Sequence, residues 1–143
     1  SAAREVLFSH LGLAQPAAAR QTECASQAFP GIELMLEAIQ ISTTVADQAD
    51  AERIAAALVA KRLAACVQVA GPIESTYRWK GQIETTQEWV CTVKTLRSLY
   101  QQVEQAIRDL HAYDEPEIIA VPIVAVSEGY LKWLADSVQS AAD

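Results

Sequence analysis

The run CVQVAGPIESTYRWKGQIETTQEWVCTVKT, residues 66–95, decides the fold of this chain. Its second half alternates with a period of two. Glu88, Val90, Thr92 and Lys94 fall on one face, and Trp89, Cys91 and Val93 fall on the other, as they do on a strand. Lys80-Gly81 supplies a turn just upstream, and residues 74–79 supply an extended partner, so the segment predicts a hairpin. Gly71-Pro72 is expected to break the chain again, leaving residues 66–70 as a separate short buried strand.

Upstream, residues 36–44 are β-rich and end in Ser42-Thr43-Thr44. Asp47 or Asp50 then offers a short acidic side chain to cap the orphan N–H groups of a helix. That helix is expected to run to about Leu63, with Ile54, Ala55, Leu58, Val59 and Leu63 as its apolar stripe. Its many alanines raise helix propensity and permit close approach to a sheet. Downstream, Ser98 and Gln101 have the spacing of a capping box. Leu99, Val103, Ala106, Ile107 and Leu110 form the stripe of a second helix. Residues 111–117 read as a loop. Residues 118–126 read as a near-continuous apolar strand covered on both faces. Ser127 opens a last helix carrying Tyr130, Leu131, Leu134 and Val138.

The order is strand, helix, strand, hairpin, strand, helix, strand, helix. It predicts an α+β, ferredoxin-like βαββαβ sandwich with an extra C-terminal helix. Right-handed crossovers place the two main helices on one face of the sheet and leave the other bare. Tyr77, Trp79, Trp89 and Val93 are expected on the bare face. Apolar surface of that extent calls for a protein partner, so the pattern predicts an oligomer.

Eleven Lys+Arg against eighteen Asp+Glu give a net charge of −7. That charge argues against nucleic acid and against anionic membrane, both of which are recognised through Lys and Arg. The run 118–126 falls short of the roughly twenty residues of a bilayer-spanning helix. Cys24, Cys66 and Cys91 have no paired spacing and suggest free thiols in a reducing, cytoplasmic compartment. Residues 1–34 carry Ala17-Ala18-Ala19, Pro16 and Pro30 without strand alternation. They read as an N-terminal extension to a domain over residues 35–143, with Met35 near the start of the fold. No basic start followed by an apolar core marks them as a signal peptide.

Several motifs occur in order: Arg62-Leu63-Ala64-Ala65-Cys66-Val67, then Tyr77-Arg78-Trp79-Lys80-Gly81 with Ile83-Glu84, then Lys94-Thr95. After them come His111-Ala112-Tyr113-Asp114-Glu115-Pro116-Glu117-Ile118 with Ile119-Ala120-Val121-Pro122-Ile123, and Tyr130-Leu131-Lys132-Trp133. Over about residues 38–135 this series resembles the CutA family of divalent-cation tolerance proteins. The resemblance implies a ferredoxin-like fold, a tight homotrimer similar to PII signalling proteins, and a link to tolerance of copper and other divalent metals. The chain departs from the family at Ala112, where a proline is usual, at Ala46, Gln68 and near Val126. Thr43 and Leu110 stand where some members place proposed copper ligands.

His111, Glu117 and Cys66 are the candidate metal ligands, since imidazole, carboxylate and thiolate all suit Cu²⁺ or a related divalent ion. His111 has a second reading, hydrogen bonding to the last helical carbonyls. Cys66 and Cys91 have a second reading as packed thiols. Lys94, Tyr113, Tyr77 and Trp79 are candidate walls of an inter-subunit cleft. No Ser-His-Asp set, phosphate loop or nucleotide fingerprint is present in the sequence. Residues 42–47 lack the arginine and glycine of a phosphate cradle, which argues against a small hydrolase on the same fold. The expected role is a non-enzymatic metal-responsive binding protein. The alternative is a structural scaffold or a PII-like signalling module that takes a protein partner or a small anion.

Overall fold

Asp47 accepts the backbone N–H of Asp50 at 2.8 Å, and this bond starts the first helix directly after the first strand. In the computed structural model, which describes residues 37–140, the elements are β1 (Ala38–Val45), α1 (Gln48–Ala60), β2 (Cys66–Trp79), β3 (Gln82–Leu96), α2 (Tyr100–Leu110), β4 (Ile119–Pro122) and α3 (Glu128–Ser137). The sheet order is β2-β3-β1-β4, and every neighbouring pair is antiparallel. This is the α+β, split βαβ arrangement that the element order predicts, closed by a C-terminal helix. The expected extension over residues 1–34 and the start near Met35 lie outside the described residues.

The core sits between one face of the sheet and α1 and α2. Ile41, Val45, Cys91, Val93 and Thr95 point into it from β1 and β3, and Ile54, Leu58, Val103 and Ile107 meet them from the helices. Each such aliphatic side chain contributes about 1.5–3 kcal/mol on leaving water. The Cys91 thiol donates to the Ala51 carbonyl on α1 at 3.6 Å, and Thr95 donates to the Leu63 carbonyl at 2.7 Å. The Thr43 hydroxyl is buried with no partner among the described residues.

Several sequence expectations are corrected. Helix α1 stops at Ala60, because Arg62 takes the left-handed conformation (φ 56°). Leu63 is therefore buried from beyond the helix, while Val59 stays exposed. The Ser98–Gln101 capping box is not formed. A 3-10 turn over Arg97–Leu99 precedes α2, whose N-cap is Leu99 without a side-chain bond. The strand expected over residues 118–126 shrinks to Ile119–Pro122 and is exposed along its whole length. It pairs only with β1, so it is an edge rather than an interior strand.

Strand β2 is not broken at Gly71-Pro72 but passes through it, with an irregularity in register between Ala70 and Ile73 and a cis peptide bond at Gly71-Pro72. One extra residue sits on β2 here: Ala70 faces Val90 and Ile73 faces Glu88. Because side chains alternate, that residue exchanges the two faces of the strand. Val67 and Val69 share the helix-packed face with Val93 and Cys91, whereas Ile73, Ser75, Tyr77 and Trp79 continue the face of Glu88, away from the helices. Trp89 and Val93, expected on the bare face, belong instead to the helix-packed face. The Lys80-Gly81 turn forms as expected, with both residues at positive φ (49° and 77°). That pairing suits a two-residue hairpin loop.

Candidate functional site

Helix α2 delivers His111 beside the end of β1, and the loop 111–117 is tied to the sheet there. His111 Nε2 lies 2.8 Å from the Thr44 carbonyl, and the Tyr113 backbone N–H donates to His111 Nδ1 at 3.1 Å. A backbone N–H only donates and a carbonyl only accepts. Nδ1 is therefore the acceptor and Nε2 the donor. The ring also stands 4.9 Å from the Tyr113 ring. Thr44 donates its hydroxyl to Glu117 at 3.3 Å, so backbone and side chain of one residue anchor both ends of the loop.

Tyr113 donates its hydroxyl to Glu88 on β3 at 3.1 Å. Glu88 is only 8% exposed, on the face that carries no α1 or α2. Burial pushes the Tyr113 phenol up to about 12, helped by the bond to Glu88 and by the charges of Glu88, Tyr77 and Asp47. Tyr77 pairs with Glu84 on the hairpin, and Thr86 donates to its hydroxyl at 3.3 Å.

Cys66 and Lys94 occupy the other end. They are cross-strand partners, and Lys94 also pairs with Gln40 on β1, four residues from Thr44. At the rise of a strand that is about 13 Å from the His111 end. Lys94 donates to Gln68, and the Cys66 thiol lies 3.9 Å from the Tyr130 hydroxyl of α3. Burial, then the hydrogen bond and charge of Cys66, raise the Tyr130 phenol above its usual range. Trp79 lies beyond both clusters at the hairpin tip, with the Lys80 ammonium 5.8 Å from its ring centroid.

His111, Glu117 and Tyr113 thus come together, Cys66 and Lys94 form a second group, and Tyr77 and Trp79 lie on the hairpin and join neither. Among the described residues no three His, Cys, Asp or Glu side chains converge to hold a metal ion. Only one Nδ1 lone pair is offered by His111, and Tyr113 already uses it. The donor set of the described residues thus does not fit a closed metal site, which needs three or four convergent ligands.

Glu88, Thr44, Gln68 and Tyr130 were not among the site residues named from the sequence. The alternation of β3 groups Glu88 with Val90, Thr92 and Lys94, but only the packing of Val93 against the helices shows that this group faces away from α1 and α2, and its partner Tyr113 is supplied by a loop whose path no local pattern describes.

The family described as "CutA1 divalent ion tolerance protein" matches residues 39–137. The divalent-cation tolerance protein CutA of Thermus thermophilus is 39% identical over 94 residues, covering 66% of this chain and 91% of that protein. A chloroplastic CutA protein of Arabidopsis thaliana is 35% identical over 102 residues, covering 71% of this chain. The chain spans 56% of the length of that Arabidopsis protein and 66% of a chloroplastic relative from Oryza sativa. The crystal structure of CutA1 from Oryza sativa superposes with a TM-score of 0.72 at 34% identity, covering 74% of this chain and 97% of that one.

Proposed function

The chain belongs to the CutA1 divalent ion tolerance family, and from that premise we propose that it works as a non-catalytic homotrimer that binds a divalent ion such as Cu²⁺ at the seams between subunits, in a reducing cytoplasm. The observation that carries this reading is the uncovered face of the sheet. Tyr77 is 39% exposed, Trp79 56%, Ile119 52% and Val121 49%. The register puts all four on the side away from α1 and α2. Large apolar side chains grouped on one face are what sister copies cover.

The ion belongs at the end of the sheet that carries Glu117. The described residues supply an incomplete ligand set there, and in this reading a neighbouring copy completes it. A binding role also suits the state of His111, whose two nitrogens are both engaged and leave no free base for proton transfer. The second reading, a scaffold or PII-like module for a protein partner or a small anion, is favoured by the same lack of convergent metal ligands among the described residues.

Native mass spectrometry tests the assembly, and calorimetry with Cu²⁺ on the intact chain and on Glu117→Gln tests the ion. The expected result is a trimer whose Cu²⁺ binding weakens in the variant. A monomer in dilute solution overturns the whole reading. A trimer with equal Cu²⁺ binding in both proteins overturns the ion and leaves the second reading.

A further inference from the structure

We infer that His111 is a positioning residue: its imidazole bridges the end of β1 to the loop 111–117 and thereby seats the Tyr113 hydroxyl on Glu88, and its nitrogens are not ligands of a divalent ion.

A neutral imidazole has one donor and one acceptor. Both are spent, on the Thr44 carbonyl at 2.8 Å and on the Tyr113 N–H at 3.1 Å. An ion approaching Nδ1 has to take the lone pair that accepts from Tyr113. An ion approaching Nε2 requires the other tautomer. That tautomer turns an N–H toward the Tyr113 N–H and leaves the Thr44 carbonyl without its donor. Either route breaks a link of the loop.

What the links accomplish is visible two residues on. The acceptance at Nδ1 fixes the backbone of Tyr113, as a short polar side chain fixes the N–H two residues ahead in an Asx turn. From that backbone the phenol reaches Glu88 at 3.1 Å. The carboxylate it meets is nearly buried on the face of the sheet away from α1 and α2. His111 thus determines the partner of a carboxylate that it does not touch.

The inference stands apart from the ion reading, and its test separates the two. In the full chain carrying ¹³C-labelled tyrosine, the Tyr113 resonance is assigned with Tyr113→Phe and followed against pH. In His111→Asn the carboxamide still accepts from the N–H two residues on but does not reach the Thr44 carbonyl, so Tyr113 should ionise between the wild-type and the His111→Ala values. In His111→Ala it should ionise roughly 1–2 pH units lower, toward an ordinary phenol. Cu²⁺ calorimetry on the same proteins should give His111→Asn the wild-type result, whether that is binding or none. Unchanged Tyr113 ionisation in His111→Ala overturns the inference, and so does loss of Cu²⁺ binding in His111→Asn with Tyr113 ionising as expected.

Discussion

Tyr113 donates its hydroxyl to Glu88 across 3.1 Å, tying the loop after α2 to the central strand β3. The two residues lie 25 positions apart in sequence, and Glu88 has no evident role until they meet. For Glu88 the phenol offsets part of the cost of sitting nearly out of water, since a buried carboxylate must be hydrogen-bonded.

Removing that hydroxyl should be felt as stability and as pH dependence. Tyr113→Phe is expected to cost about 1–2 kcal/mol at neutral pH, because it leaves a buried acceptor short of a donor. The phenol is pushed up to about 12 in the folded chain from an ordinary value of 10. The native state therefore favours the protonated form. Its contribution is full below pH 10 and fades as pH rises toward 12. Urea unfolding of wild type and Tyr113→Phe between pH 9 and 12 checks both points; the variant should lose the part of the alkaline slope that Tyr113 supplies.

Gly71 is set by space. A Cβ at this position would stand 2.7 Å from two ring carbons of Trp89 and 3.1 Å from the Glu88 carbonyl. Trp89 packs against the core and the carbonyl belongs to a strand, so neither moves freely. Gly71→Ala should destabilise by about 1–3 kcal/mol. It should also perturb the indole emission of Trp89, read by fluorescence against Trp89→Phe.

Arg62 closes two helices at once. Its guanidinium donates to the Asp136 carbonyl at 2.8 Å and the Ser137 carbonyl at 3.3 Å, and its own carbonyl accepts from Gln139 at 2.8 Å. The carbonyls at the end of α3 thus find donors. Arg62→Ala should lose about 1 kcal/mol for those bonds while keeping a left-handed backbone that alanine disfavours. Arg62→Gly should recover part of the loss, because glycine takes positive φ freely. Thermal melts of the three proteins give the order wild type, glycine, alanine.

Cys91 should be silent toward thiol reagents. It is buried between β3 and α1, and burial pushes its thiol up to about 11. At pH 8 almost no thiolate is present, and the thiolate is the nucleophile. Iodoacetamide followed by peptide mass spectrometry should leave Cys91 unmodified in the folded chain and modify it once urea unfolds the protein.

Much of this architecture is legible in the residues. The alternation of β3 put Cys91 and Val93 on one face and Glu88 and Lys94 on the other, and the register agrees. The Lys80-Gly81 turn and the stripe of α2 were readable for the same reason, since each is a local periodicity or a local backbone preference. The capping box at Ser98 was not realised, because the chain enters α2 through a 3-10 turn held by the Arg97 N–H on the Glu37 carbonyl. The apolar run 118–126 suggested an interior strand, yet its residues lie at an edge. Hydrophobicity reports that a face wants cover and does not say whether this chain provides it. The candidate site was legible as residue types only: His111, Tyr113 and Glu117 share a loop, while Cys66 sits at the far end of the sheet.

The amino-acid order by itself determined the succession of strands and helices, where the hairpin turns, and the family to which the chain belongs. These follow from neighbours in sequence: side-chain period, caps and left-handed turn residues. Tertiary structure alone decided which face Tyr77 and Trp79 present, because one extra residue between Ala70 and Ile73 exchanges the sides of β2 and only pairing with β3 reveals it. It also decided the state of His111, whose acceptor is used within the loop but whose donor is used by Thr44, 67 positions away. A hydrogen bond across that separation exists only once β1 and α2 are docked on a common core.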